Sequence, residues 1–222
     1  MNAFRLFVSA LLLLVGAGCT TTPKNPASKA ALAVLTSEAG LHEKARACQE
    51  LGVVGGPEAV PALAGLLSHE QLADYARSGL EGIADPAAGA ALRQALATLQ
   101  GRSLAGAVNS LGVRRELAAV PELEKLALDP ARGVAAEALA SLGMIGTVKA
   151  AKTLEQVVQN GPEALRIAAA HASLVAAERL AQAGDFSGAR SVMESVVRSL
   201  PPGHLQTVAQ NQLTALAARP AR

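Results

Sequence analysis

Apolar and polar positions along this chain follow one pattern that returns at intervals of 29 to 31 residues. Residues 51–67 read LGVVGGPEAVPALAGLL, which is Leu-Gly, a short turn and then Ala-Val-Pro-x-Leu. The leucine of Ala-Val-Pro-x-Leu begins a column that recurs at spacings of 29, 31 and 31 residues: Leu63, Leu92, Leu123 and Leu154. Apolar residues also stand three and four positions after each of these leucines. This spacing predicts the buried stripe of an amphipathic helix, here named helix B.

A second column of leucines keeps the same register and predicts a second helix in each repeat, here named helix A. The column consists of Leu51, Leu80, Leu111 and Leu142, and an alanine stands four residues before each of them. Residues four apart share one face of a helix, so helix A presents a small and a large side chain to the same neighbour. A glycine follows three of the leucines, as Gly52, Gly112 and Gly143, and Glu81 replaces it in the second repeat. Because glycine permits the left-handed conformation that ends a helix, we expect helix A to end there.

Two helices in a period of this length predict an α-solenoid, in which stacking buries the faces that single pairs leave open. The composition agrees, because 50% of the residues are apolar but only 2% are aromatic. Alanine and leucine are strong helix formers, and alanine lets helices approach closely. We therefore expect an all-α fold of about five stacked antiparallel helix pairs with an N-terminal and a C-terminal helix.

The repeated pattern resembles HEAT repeats of the armadillo-like class, in the short bacterial form found in phycobilin lyases. Leu51-Gly52 with Ala-Val-Pro-Ala-Leu at 59–63 carries this resemblance, as does Leu111-Gly112 with Ala-Val-Pro-Glu-Leu at 119–123. The resemblance implies a scaffold without catalytic activity of its own, whose B helices line the concave side. Residues 29–161 are assigned to this array. In residues 162–222, the run 177–189 resembles a tetratricopeptide hairpin, and a capping helix follows it.

The N-terminus has the features of an export signal. Arg5 precedes an apolar run over 6–15, which is too short for a stable membrane span, and small residues follow it. The sequence Val-Gly-Ala-Gly-Cys at 15–19 resembles the lipobox of bacterial lipoproteins. The resemblance implies a signal peptide over 1–18, a lipid on Cys19, and, because Thr20 is not aspartate, anchoring to the outer membrane facing the periplasm. Residues 19–28 are polar and predict a flexible tether; an ordinary secretory signal with an incidental cysteine is the alternative.

Charge and side-chain chemistry exclude several classes of function. Charged residues make up 17% of the chain at a net charge of +2, without a basic block, so we expect no nucleic-acid partner. The four histidines have no metal-ligand spacing, and neither a nucleophile elbow nor a phosphate loop is present. We expect no catalytic residue, metal or cofactor. Cys48 is interpreted as a buried small hydrophobe, with a reactive thiol as the alternative.

The class of function that remains is the binding of another protein at the surface. Helix B directs Arg93 and Glu124 outward, with Lys125 beside Glu124, and these mixed charges either dock a protein or form a solvated face. Tyr75 and Arg77 on helix A add an aromatic and a cationic anchor of the kind found in binding hot spots.

The segment around Tyr75 is also similar to exported HEAT-repeat proteins, some of which continue into a sugar-processing domain that we do not expect here. A structural role for its polar residues is the alternative, in which Arg77 pairs with Asp85 and Asn109 binds backbone groups between repeats. The sequence thus predicts a lipid-anchored, non-catalytic scaffold for a protein partner in the cell envelope. The alternative is an accessory module of an envelope enzyme complex, such as one that processes carbohydrate.

Overall fold

A computed structural model describes residues 25–217, which form twelve α-helices and no strand. The helices are α1 (Pro26–Leu35), α2 (Leu41–Val54), α3 (Val60–Gly65), α4 (Ala73–Gly82), α5 (Pro86–Ala95), α6 (Gly101–Val113), α7 (Val120–Leu128), α8 (Ala135–Ile145), α9 (Val148–Asn160), α10 (Glu163–Gln182), α11 (Phe186–Ser199) and α12 (His204–Ala217). The predicted signal peptide, Cys19 and the first part of the tether lie outside the described residues. Within 25–217, no helix combines the length and the apolar character that crossing a bilayer requires.

The helices form two layers. The A helices α2, α4, α6, α8 and α10 stack on one another, and the B helices α3, α5, α7, α9 and α11 lie against them. The first helix, α1, packs on α2, and the last, α12, packs on α11. The described residues therefore form five helix pairs with one helix at each end, which confirms the predicted all-α solenoid.

Both leucine columns lie in the core, as their spacing predicts. All eight leucines are fully buried: Leu51, Leu63, Leu80, Leu92, Leu111, Leu123, Leu142 and Leu154. One apolar cluster extends from Ala31 in α1 to Ala209 in α12, and it crosses the boundary expected at residue 161. A smaller cluster, with Leu180 and Met193, joins the last helices. The C-terminal helices thus continue the stack of the repeats.

The prediction that Gly52, Gly112 and Gly143 end their helices is wrong. All three lie inside A helices, and none has a positive φ. Their role is a close approach between successive A helices. A Cβ on Gly143 would lie 2.6 Å from the carbonyl oxygen of Ala172, and one on Gly112 would lie 2.8 Å from the Cα of Ser141. The left-handed glycine that ends α8 is Gly146, with φ 64°.

Arginine side chains form hydrogen bonds that connect the end of one helix to the following repeat. Nη1 of Arg114 donates to the carbonyl oxygens of Leu80 at 2.7 Å and of Ile83 at 2.5 Å, both at the end of α4. Nε of Arg166 donates in the same way to Val158 O in α9, at 3.0 Å. The last carbonyls of a helix have no partner within it, so a cation placed there satisfies them and interacts favourably with the helix dipole.

Candidate partner-binding surfaces

The five residues predicted to bind a partner lie on two different layers. Tyr75 and Arg77 belong to α4 in the A layer, whereas Arg93 in α5 and Glu124 and Lys125 in α7 belong to the B layer. They therefore form two surfaces and not one composite site. Each surface has its own electrostatic surroundings.

Arg77 lies at the boundary between the second and third repeats. Its guanidinium donates to Asp74 Oδ1 at 3.2 Å and to Glu81 Oε1 at 3.1 Å on its own helix, and to Ser110 Oγ at 3.2 Å on α6. The Ser110 hydroxyl in turn donates to Glu81 Oε1, at 2.5 Å. Since charged hydrogen bonds in a partly buried position are stronger than exposed ones, this network fixes α4 against α6.

Two details of the predicted structural role are wrong. Arg77 does not pair with Asp85, because Asp85 caps α5 by accepting a hydrogen bond from the Ala87 N–H at 2.9 Å. Asn109 is exposed, and among the described residues its side chain forms no hydrogen bond. The buried neighbour of Asn109, Ser110, makes the contact between repeats instead.

Asp74 connects this network to the following repeat, because it also accepts a hydrogen bond from Arg102. Partial burial raises the pKa of Asp74, but its hydrogen bond with Arg77 and the charge of Arg102 together outweigh this effect. The pKa therefore lies below its ordinary value of 3.8, and Asp74 is an anion at neutral pH. The side chain of Arg102 is largely exposed, so the outer part of the network is open to solvent.

Tyr75 projects from the same helix into solvent. Its side chain is 40% exposed, and it has no hydrogen-bond or ion-pair partner in the part of the chain that the structure describes. Ser78 and Gly82, three and seven residues further on, are also exposed and continue this face of α4. An aromatic side chain thus stands on a helix that the Arg77 network holds in place.

In the B layer, the column predicted to face outward bridges neighbouring repeats. Arg93 pairs with Glu122 at 3.2 Å. Glu124 pairs with Lys149 at 3.2 Å and also accepts a hydrogen bond from the Thr153 hydroxyl at 3.1 Å. Polar contacts between α5, α7 and α9 therefore occupy Arg93 and Glu124.

The neighbouring column of the B layer faces solvent. It consists of Gly65, Gln94, Lys125 and Gln156, all of which are exposed. Lys125 has no ion-pair partner within the described range. Of the five predicted residues, Tyr75 and Lys125 are consequently the two whose side chains are not engaged inside the array.

The partners of these residues were not predicted, although the sequence contains a signal for them. Asp74 and Arg102 are 28 residues apart, Arg93 and Glu122 are 29 apart, and Glu124 and Thr153 are also 29 apart. Each separation is close to one repeat. Complementary polar residues one period apart are thus the pattern that predicts contacts between repeats in this fold.

Cys48 lies in α2 with none of its surface exposed. Burial raises the pKa of its thiol to about 11, and a backbone hydrogen bond opposes this effect only in part. Since the thiolate is the reactive form, the side chain is inert at neutral pH. The interpretation as a buried small hydrophobe is confirmed.

The grooves along the array are open, and several are lined by side chains of neighbouring helices. One groove of about 420 Å³ lies between Leu99, Gln100, Gly101 and Arg132. The Arg132 guanidinium inside it donates to the carbonyl oxygens of Leu96 and Leu99, so this cation is already hydrogen-bonded within the protein. Within residues 25–217, no group of three histidine, cysteine or carboxylate side chains is placed to hold a metal ion.

Comparison with known families supports the repeat assignment. Residues 89–174 match the family model described as HEAT repeats. The matched range contains all of α6, α7, α8 and α9 and reaches into α10, so the similarity to HEAT repeats covers the middle of the solenoid. No curated protein matches the chain. HEAT repeats are commonly scaffolds for protein interaction.

Proposed function

We propose that this chain is a non-catalytic scaffold of HEAT repeats, anchored by a lipid on Cys19, that binds another protein in the bacterial cell envelope. The spacing of 29 to 31 residues supports the short, phycobilin-lyase type of repeat. The lipobox-like sequence at 15–19 supports the lipid, and Thr20 supports the outer membrane, facing the periplasm. The two-layer solenoid supports a role in binding, because such arrays present extended surfaces.

The observation that carries the binding function is the contrast between Tyr75 and its neighbours. Asp74, Arg77 and Glu81 are engaged in contacts that stabilise the array, whereas the ring of Tyr75 is exposed on a helix held in place by those contacts. A rigidly supported aromatic side chain loses little freedom on binding, and such residues often dominate binding energy. We therefore assign the partner-binding surface to the outer face of α4.

Site-specific photo-crosslinking in intact cells tests this assignment. A photoreactive phenylalanine analogue at position 75 is expected to form an adduct with one protein. The matched control places the same analogue at Lys125, which is also exposed but lies on the opposite layer. An adduct only from position 125 would move the binding surface to the B layer. No adduct from either position would reject protein binding at these surfaces.

The identity of the captured protein separates the scaffold from its alternative. Capture of an envelope enzyme that processes carbohydrate would identify the chain as an accessory module of that enzyme. In that case Tyr75→Ser is expected to lower the activity of the enzyme in membranes, and Lys125→Ser is expected to leave it unchanged.

A further inference from the structure

The turns that join each A helix to its B helix lie side by side along one edge of the solenoid. Gly82 at the end of α4 lies against Gly52 near the end of α2, where an added Cβ would contact the Gly52 carbonyl oxygen. Arg114 at the end of α6 binds Ile83 O in the preceding turn, and Gly146 at the end of α8 packs against Arg179 in α10. We name this side the A–B edge; it comprises residues 53–59, 82–87, 113–119, 145–149 and 183–187.

Large apolar side chains are exposed along the A–B edge. Val53 is 86% exposed and Leu117 is 64% exposed. Val113 is exposed in the same turn as Leu117, and Val148 and Phe186 are exposed in the two later turns. The turn at 82–87 differs, because its large apolar residue, Ile83, is buried. Single exposed apolar residues are ordinary on protein surfaces, but a row of them along one edge indicates a contact.

The carboxylates of the A–B edge are half-buried and contact neighbouring groups of the protein. Glu58 accepts hydrogen bonds from the Gly56 N–H and the Ser28 hydroxyl. Asp85 and Asp185 cap α5 and α11. All three carboxylates are half-buried, and so is Glu116, which packs against Gly89.

The exposed charges of this edge, unlike its half-buried carboxylates, are cationic. They belong to Arg115, in the turn after α6, and Lys149, in the first turn of α9. Lys149 pairs with Glu124 through one contact, but its side chain is still 62% exposed. The A–B edge thus combines apolar and cationic groups.

The opposite edge, formed by the turns from B helices to A helices, has a different composition. Its exposed carboxylates are Glu38, Glu70, Asp129 and Glu163, and they stand among exposed Ser68, Thr98 and Gln100. Arg132 is an exposed cation of this edge, and its guanidinium donates to Leu96 O and Leu99 O. Leu41 and Leu128 are its exposed large apolar residues. One edge of the array is thus apolar and cationic, and the other is polar and largely acidic.

The chain enters the fold at the A–B edge. The Ser28 hydroxyl, in the first turn of α1, donates to Glu58 Oε1 at 2.8 Å, and Glu58 lies in the turn that follows α2. Asn25 follows Cys19 by six residues, which span at most about 20 Å when fully extended. A lipid on Cys19 would therefore keep this edge, and in particular its first turn with Val53, close to the bilayer.

We propose that the A–B edge rests on the surface of the bilayer that holds Cys19. This inference rests on the proposed lipid anchor. Val53, Leu117 and Val148 enter the headgroup region, and Arg115 and Lys149 contact lipid phosphates, because apolar side chains flanked by cations suit the interface of an anionic membrane. The helices then stand away from the membrane, and the outer faces of both layers, including Tyr75, are open to a protein partner.

Fluorescence quenching on the full lipidated chain in vesicles of phosphatidylethanolamine and phosphatidylglycerol tests this orientation. Leu117→Cys and Val148→Cys place a thiol on the A–B edge, and Ser68→Cys and Thr98→Cys place one on the opposite edge as matched controls. Each exposed thiol carries an environment-sensitive dye, while native Cys48 is buried and stays unlabelled in the folded protein. Nitroxides on the lipid headgroups are expected to quench the dyes at 117 and 148 several-fold more strongly than those at 68 and 98.

The outcomes separate this inference from the proposed function. Equal quenching at the two edges overturns the orientation. Dyes that all remain unquenched while mass spectrometry shows an acylated Cys19 also overturn it, but the anchored scaffold survives. An unacylated Cys19 overturns both.

Discussion

The guanidinium of Arg114 donates a hydrogen bond of 2.7 Å to the carbonyl oxygen of Leu80, across the boundary between two repeats. The same Nη1 reaches Ile83 O, and Nη2 reaches Asp85 O at 3.3 Å. One side chain of the third repeat thus satisfies carbonyl groups at the end of α4 and in the turn after it. In a solenoid, stability depends on such contacts between neighbouring repeats as much as on each pair of helices.

Replacing Arg114 with methionine is expected to lower the free energy of unfolding by roughly 2–3 kcal/mol, because carbonyl groups at the end of α4 lose a charged donor. Urea unfolding followed by circular dichroism measures this change. Arg115→Met is the matched control, since Arg115 is exposed and its guanidinium has no hydrogen-bond partner among the described residues. Its effect is expected to stay within about 0.5 kcal/mol. Equal effects of the two substitutions would contradict the role given to Arg114.

The tight contact between A helices predicts opposite effects for two glycine-to-alanine substitutions. Gly143→Ala places a Cβ 2.6 Å from Ala172 O and 2.9 Å from Ala172 Cα, which only a backbone shift can relieve. We expect a loss of roughly 1–3 kcal/mol, although alanine is the better helix former. Gly65→Ala, where a Cβ meets nothing within 4 Å, is expected to gain up to about 1 kcal/mol. If both substitutions stabilise the protein, the helices do not approach as described.

The buried thiol of Cys48 predicts a loss of stability at alkaline pH. Because burial raises the pKa from 9.0 to about 11, the folded state holds the proton more tightly than the unfolded chain. The contribution to stability is therefore complete below pH 9.0 and is lost as the pH rises towards 11. The free energy of unfolding, measured in urea from pH 8 to 11, should fall with a slope of up to ~1.4 kcal/mol per pH unit.

Cys48→Ala is the matched control for this pH dependence, because it removes the thiol and keeps the site small and apolar. The difference in stability between wild type and variant is expected to be constant below pH 9 and to shrink above it. A difference that stays constant across the whole range would show that the thiol does not titrate as described.

The sequence predicts the layers of this fold better than the contacts between them. Leu51 and Leu63 belong to columns whose spacing alone identifies a buried face, because burial of an apolar stripe depends on periodicity. The role of Gly52 is different. A glycine after a leucine is compatible both with a helix end and with a close approach, and only the position of Gly79 on the next A helix decides between them.

At the candidate site too, the sequence alone does not predict which polar residues are in contact. Arg77 has acidic residues nearby in sequence at Asp74, Glu81 and Asp85, and it binds the first two because they share its face of α4. Ser110, 33 residues away, completes the network from the next repeat. Exposure of Tyr75 follows from its position on the outer face of the helix, whereas the engagement of Arg93 and Glu124 depends on how closely the B helices stack.

The lipid on Cys19 is the claim on which both the envelope scaffold and the orientation of the A–B edge depend. Intact-mass spectrometry of the protein purified from membranes tests it most directly, with Cys19→Ser as the control that should leave the membrane fraction. We expect a mature chain that begins at Cys19 and carries the additional mass of a diacylglyceryl group. A chain that begins at another residue, or one with an unmodified Cys19, would contradict this account.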